Sequence, residues 1–400
     1  MKNKFWTLRY TLINMSYFAV FCTIHAYAAV FLLDKGFTNT QVGLALAIAN
    51  ILSVFGQPLV AGLVDKPGKV TNRNVIMTSV LLMALGCFSL LFIRNIAVLI
   101  FAIFVLIYTI QLVHQPIMIA MNFEYQKAGC NINFGLSRGL GSAGFAMMSA
   151  ITGVAVAKNG TDFLLVSSIC LLIFMFLITF FFQKPVTTLA ESKEEIKSDE
   201  EATNKFTDFV KKYPMFMLLM LGSACCFFAH NMINDFMIQI IRSLNGSETQ
   251  LGYSTFLQGI LELPVMALIA YVLRKVSAGK LLVFSAVSFL IKTLILVFST
   301  SMVGMYISQC FQMFAYAVFI PVAAYYADKV MSKMDQVKGQ AYINVAITVG
   351  GVFSNLICGR ILDNMGVKPM LIIGCIVCTL GVFITLVSVV SYSKKTQTVI

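Results

Sequence analysis

Apolar runs of about 20 residues, separated by short polar breaks, leave this chain few ways to fold. Twelve such runs can be traced, at 8–33, 41–64, 75–93, 96–121, 134–157, 162–182, 214–241, 249–273, 281–299, 302–327, 339–361 and 368–390. An α-helix rises about 1.5 Å per residue, so each run is long enough to cross a hydrocarbon layer of about 30 Å. A segment in lipid must satisfy its own backbone groups, which a helix does. The sequence therefore predicts an all-α membrane protein of twelve transmembrane helices.

Composition excludes the water-soluble alternative. Hydrophobic residues make up 59% of the chain and charged residues 12%, with a mean hydropathy of +0.86; a soluble domain carries about 25% charge. The net charge of +12 does not mark a nucleic-acid surface, because the lysines and arginines are scattered over the breaks between runs. Most of the ten cysteines lie inside apolar runs, and Cys375 and Cys378, although spaced as a CxxC, read as packing residues. The first run, from Tyr10 to Leu33, is too long for the apolar core of a secretory signal and carries Asn14 and His25, so it reads as the first crossing.

The one long hydrophilic stretch, 183–213, holds seven acids and six lysines and divides the chain into six-helix halves, 1–182 and 214–400. Basic residues concentrate in this linker, at both termini and in alternate breaks, which places both termini in the cytoplasm of a multi-pass inner-membrane protein. The halves echo each other. Gln41-Val-Gly43 and Gln250-Leu-Gly252 open the second and eighth runs, and Gly144, Gly153 and Gly160 recur at the same spacing as Gly350, Gly359 and Gly366. Duplicated halves of this kind occur in secondary transporters that carry their substrate near the bilayer midplane.

Two segments carry a family resemblance. Gly62-Leu-Val-Asp65-Lys66-Pro-Gly-Lys69 through Arg73 resembles the glycine–aspartate–basic motif of the major facilitator superfamily. The resemblance implies a conformational latch made by Asp65, Lys66, Lys69 and Arg73. Phe134-Gly-Leu-Ser-Arg138-Gly-Leu-Gly141-Ser-Ala-Gly144-Phe145 is similar to the fifth helix of the lactose permease branch, which includes oligosaccharide and nucleoside proton symporters. The resemblance implies that Arg138 binds solute hydroxyls and that the Phe145 ring offers an apolar face to a sugar or base; the lactose permease has Trp at that position. Independently, an arginine in a membrane helix costs about 2.5–3.5 kcal/mol when central, so it faces a wet cavity or a partner, or snorkels.

Polar side chains gather on single helical faces: Asn14 and His25 in the first helix, Gln111, His114 and Gln115 in the fourth, and Asn231, Asn234 and Asp235 in the seventh. Gln258 and Glu262 in the eighth, Gln312 in the tenth and Asn344 in the eleventh complete a set suited to a neutral polar solute. Among ionisable groups at membrane depth, Lys292 is expected to pair with Glu262 or Asp235, and a carboxylate alternately paired and protonated would couple transport to a proton gradient. The histidine-and-glutamate relay of the tenth helix in the lactose permease is replaced by Gln312 and Ala315.

The reading is a proton-coupled symporter for a sugar, oligosaccharide or nucleoside, working by alternating access. An efflux antiporter for amphiphilic compounds, a sodium-coupled carrier and an uncoupled facilitator are the alternatives. No HExxH or P-loop spacing occurs, so no enzyme, cofactor or metal is expected. The expected partners are the solute, the proton and membrane lipid, with the chain acting as a monomer.

Overall fold

The computed structural model describes residues 5–64, 70–185 and 206–397. Asp65, Lys66 and Lys69 of the latch motif, and residues 186–205 of the linker, lie outside the described residues. The described residues are almost wholly helical. The first crossing is α1 (Trp6–Phe21), a π-helical turn at Cys22–Ala26 and α2 (Ala28–Asp34). It is followed by α3 (Asn39–Val64), α4 (Asn72–Phe92), α5 (Ala97–Lys127), α6 (Phe134–Asn159) and α7 (Asp162–Phe181). After the short α8 (Phe206–Lys212) come α9 (Pro214–Asp235), the short α10 (Met237–Ser243), α11 (Glu248–Val272) and α12 (Ala278–Phe298). The tenth crossing is α13 (Met302–Cys310), a 3₁₀ turn at Phe311–Met313 and α14 (Tyr316–Val330), and the chain ends in α15 (Gln336–Met365) and α16 (Val367–Gln397). Eleven of these spans are long and apolar enough to cross a bilayer, and the bent pair Trp6–Ala26 with Ala28–Asp34, at 47°, makes the twelfth. The protein is therefore an all-α, multi-pass membrane protein, as the apolar runs predict.

By contacts the chain divides into two compact units, Met1–Leu189 with Asp235–Ile260, and Ala190–Asn234 with Leu261–Ile400. The assignment of 235–260 to the first unit has a local cause. A Cβ built on Gly153 would sit 2.7 Å from the Glu248 carbonyl oxygen and 2.8 Å from the Gly252 Cα, so α6 and α11 meet backbone to backbone. Gln239 Nε2 also donates to Asn39 Oδ1 at 2.8 Å.

The local devices that shape the helices occur twice. At the start of α3, Thr38 N–H donates to Gln41 Oε1 (2.9 Å) and Gln41 N–H to Thr38 Oγ1 (3.3 Å), a reciprocal capping box. At the start of α11, Ser247 N–H donates to Gln250 Oε1 at 2.9 Å. Just before each of these helix starts the backbone turns left-handed, at Gly36 (φ 84°) and at Asn245 (φ 60°), a conformation that glycine and asparagine tolerate best. The first and seventh crossings break at Tyr27 (φ −107°) and Phe236 (φ −112°). Gly160 (φ 77°) and Gly366 (φ 86°) close α6 and α15. Duplicated capping, duplicated breaks and duplicated stops are the structural form of the repeat seen in the sequence.

Small residues let helices approach closely, the usual packing device where lipid supplies no hydrophobic drive. In the first unit a Cβ on Gly144 would lie 3.4 Å from the Met15 backbone, placing α6 on α1. In the second, a Cβ on Gly350 would lie 2.5 Å from the Ala224 carbonyl oxygen and 2.9 Å from Phe228 N, placing α15 on α9. Since backbone cannot rotate away, Gly350→Ala is expected to destabilise by about 1–3 kcal/mol, the usual cost of overpacking. Gly62→Ala, with nothing within 4 Å of its Cβ, should be neutral or stabilising because alanine favours the helix. Thermal unfolding of both variants in detergent checks this; equal melting temperatures would refute it.

Outside the membrane spans, Asp335 is fully buried and anchors the last residues of the linker. Its Oδ2 accepts from Lys212 Nζ at 3.0 Å, from the Tyr213 hydroxyl at 3.1 Å and from the Ser332 hydroxyl at 3.2 Å. The hydrogen bond to Asp335 raises the Lys212 pKa above its ordinary value of 10.5. The contribution of this contact is therefore complete below pH 10.5 and is lost only as pH rises through the raised value. Stability should show no step from Lys212 between pH 6 and 9, and a step above pH 10 that Lys212→Met abolishes in a pH series of thermal melts.

Candidate functional site

In the first unit the polar residues of the sequence fall into two groups. The first is buried among the helices. Asn14 Nδ2 donates to the Tyr10 carbonyl of its own helix at 3.0 Å. The Gln111 side chain is fully buried, and the Gln111 carbonyl accepts the Tyr17 hydroxyl at 3.0 Å. His114 is buried against α1 and α4: its ring stacks on Tyr17 (centroids 5.4 Å, 10° apart) and its Nδ1 lies 2.6 Å from Ser79 Oγ. Asn14, Gln111 and His114 are all buried, and Asn14 Oδ1, both polar side-chain atoms of Gln111 and His114 Nε2 have no hydrogen-bond partner among the described residues. Gln115 is half-buried on the next turn.

The second group forms an aromatic wall with a cation at one end. Arg138, half-buried one turn into α6, donates from Nη1 to Ser142 Oγ at 2.9 Å and holds its guanidinium carbon 4.2 Å from the centroid of Phe18. Along α1 from Phe18, Phe21 stacks on His25 at 4.0 Å and 10°, and the Tyr108 ring centroid lies 3.6 Å from that of His25, tilted by 33°. Phe145 stands 6.2 Å from Phe21 and packs against Gly259 of α11, next to the buried Gln258. His25 belongs to the π-helical turn, an irregularity often found at functional sites because it displaces side chains from the regular helical face. Asp235, at the end of α9, interacts electrostatically with Tyr108. Phe18, Tyr108 and Ser142 were not singled out from the sequence; the available signals were Phe18 one turn before Phe21, Tyr108 one turn before Gln111, and Ser142 one turn after Arg138.

The second unit holds a charge relay. Lys292, fully buried in α12, donates from Nζ to Gln312 Oε1 at 2.7 Å, and Gln312 Nε2 donates to Glu262 Oε1 at 2.9 Å. Gln312, expected from the sequence as a solute ligand, thus stands between Lys292 and Glu262, which also interact electrostatically. His230 stacks on Tyr316 (5.2 Å, 12°), and its Nε2 lies 2.9 Å from Asn234 Nδ2. Asn231 donates to the Ile347 carbonyl at 3.3 Å, tying α9 to α15, whereas Asn344 is exposed.

Arg73 acts on a helix end. Its Nε donates to the Thr179 carbonyl at 2.9 Å and its guanidinium to the Phe180 carbonyl, while Arg9 Nη1 donates to the Phe181 carbonyl at 3.2 Å. Two cations thus satisfy the last carbonyls of α7, where the helix dipole also favours positive charge. The adjoining cleft of about 290 Å³ is lined by Arg73, Glu124 and Lys184, the last two paired, with Lys184 Nζ 2.6 Å from Glu124 Oε1.

The arrangement offers hydrogen-bond donors, ring faces and a buried charge chain, with no nucleophile set. Gly135-Leu-Ser137-Arg-Gly139 has the G-x-S-x-G spacing of a hydrolase nucleophile elbow. It lies inside α6, however, with Ser137 buried, donating to the Asn133 carbonyl at 3.0 Å and lying 2.9 Å from Thr11 Oγ1. Among the described residues, no group of His, Cys, Asp and Glu side chains is placed to hold a metal ion.

Solved structures share this fold. A point mutant of the nucleoside transporter NupG is similar with a TM-score of 0.81 at 14% identity, covering 96% of this chain and 99% of that one. NupG itself gives 0.76 at 13% identity, with 97% and 99% covered. A bacterial homologue of the human lysosomal transporter Spinster, inward-facing and unoccupied, gives 0.68 at 11% identity, with 98% and 97% covered. No curated protein matches the sequence. The glycine–aspartate–basic motif, the fifth-helix pattern and the twice-built helical fold find their common explanation in a sequence match over residues 6–391: the chain belongs to the MFS_1 like family.

Proposed function

We propose that the protein is a secondary transporter that moves a small polar solute of the sugar, oligosaccharide or nucleoside class across the cytoplasmic membrane by alternating access, in symport with protons. The observation that carries this reading is the company of Arg138. Among the described residues its contacts are neutral, a hydroxyl at 2.9 Å and a ring face at 4.2 Å, and no ion pair to it occurs there. A guanidinium presented on an aromatic surface has planar donors to offer vicinal hydroxyls. The half-buried Phe21 and Phe145 rings of the same wall favour a solute with a flat face, and a nucleoside meets both demands. NupG, described as a nucleoside transporter, has the same fold, which supports this choice within the class.

Glu262, at membrane depth and joined to a buried lysine, is the proposed proton carrier, with Asp235 the second carboxylate of the set. Halves 1–182 and 214–400 are the proposed moving bodies, with 183–213 as the cytoplasmic linker. An efflux antiporter for amphiphilic cations would call for an acid where Arg138 stands. A thermal-shift screen of purified protein against nucleosides, disaccharides and amphiphilic cations tests the substrate class. Stabilisation by a nucleoside or sugar, followed by uptake that a pH gradient accelerates, is the expected result; stabilisation by cations alone would overturn the reading.

A further inference from the structure

The Glu262–Gln312–Lys292 chain has a direction built into it. Lysine offers only donors and a carboxylate only acceptors, so an amide between them can satisfy both in one orientation alone, with oxygen toward Lys292 and nitrogen toward Glu262. That is the orientation found, at 2.7 and 2.9 Å. Gln312 is 3% exposed and sits in the 3₁₀ turn that interrupts the tenth crossing, so its position is fixed by a break in the helix.

Besides Gln312, Glu262 itself interacts electrostatically with Lys292. His230, on α9, interacts with it electrostatically, and the Ser308 hydroxyl donates to the Lys292 carbonyl at 2.9 Å. The tenth crossing carries no charged residue from Met302 to Ala327, and α16, packed along α12, carries none between Lys368 and Lys394. An intervening amide also lengthens the path between the charges, and Coulomb attraction falls with separation. The hydrogen bond from Gln312 to Glu262 therefore adds to a direct attraction between the two charges.

We propose that Gln312 is a positioning residue for coupling: held in one orientation by Lys292, its amide donates to Glu262 and so tunes the proton affinity of that carboxyl. This rests on Glu262 as the coupling carboxylate, yet it is tested without any solute. Infrared difference spectroscopy of the purified full-length protein across a pH series follows the carboxyl band that disappears in Glu262→Gln. Lys292→Met is expected to displace the midpoint of that band by about one pH unit, a tenfold change in proton affinity, and by less in a Gln312→Leu background. Gln312→Asn, one methylene too short to span both partners, repeats the comparison if the leucine variant does not fold. Equal displacement in both backgrounds would show that Lys292 acts on Glu262 by direct attraction alone and overturn the proposal, as would no displacement in either. Failure of solute-driven proton uptake would instead strike the symport reading and leave this comparison intact.

Discussion

Arg138→Lys is expected to lose at least about tenfold of solute uptake while the protein still inserts and remains folded. A fork of planar donors, held over Phe18 and steadied by Ser142, is replaced by a compact ammonium that cannot present two parallel hydrogen bonds. Each factor of ten corresponds to about 1.4 kcal/mol, the order expected for losing one charge-assisted hydrogen bond to a ligand hydroxyl. Ser142→Ala removes only the steadying contact and should cost less. The measurement is initial uptake of radiolabelled uridine into membrane vesicles, normalised to protein in the membrane. Uptake by Arg138→Lys within twofold of the native rate would remove Arg138 from the solute site.

Glu262→Gln is expected to separate two activities that depend on the site differently. An amide keeps an acceptor for Gln312 Nε2 but holds no exchangeable proton. Exchange of labelled for unlabelled uridine across vesicles, which needs no net proton movement, should persist. Accumulation driven by a pH gradient should fall at least about tenfold, because the energy of the gradient reaches the solute only through a protonation step. Breaking a buried charge network by removing one partner can cost about 3–5 kcal/mol, so thermal stability is measured alongside. Equal loss of exchange and accumulation would assign Glu262 to solute binding or structure instead of coupling.

Much of the fold could be read before any coordinates. Apolar runs predict the crossings because lipid imposes length and backbone satisfaction together, and the paired Gln41 and Gln250 segments both become helix starts at which the glutamine accepts the N–H of Thr38 or Ser247. The glycine spacing likewise foreshadows the stops at Gly160 and Gly366. What periodicity cannot tell is which neighbour a helical face meets. Gln111 and His114 share a face as expected, but that face turns into the bundle, where His114 is taken up by Ser79 and Tyr17. Asn344 shares a polar face with Thr348 and is exposed, while Asn231 is spent on a helix tie to Ile347. Gln312 was legible as polar but not as a bridge, because its role depends on two residues about 20 and 50 positions away. Phe18 and Tyr108 were hidden by composition: in a membrane helix an aromatic ring facing lipid and one facing a solute look alike.

The reading of this chain as a proton-coupled carrier of a polar solute meets its most direct test in lightly buffered proteoliposomes. Uridine added outside should make the external medium more alkaline as protons enter with it, and the signal should vanish in Glu262→Gln. External acidification, or uridine entry with no proton movement, would contradict symport.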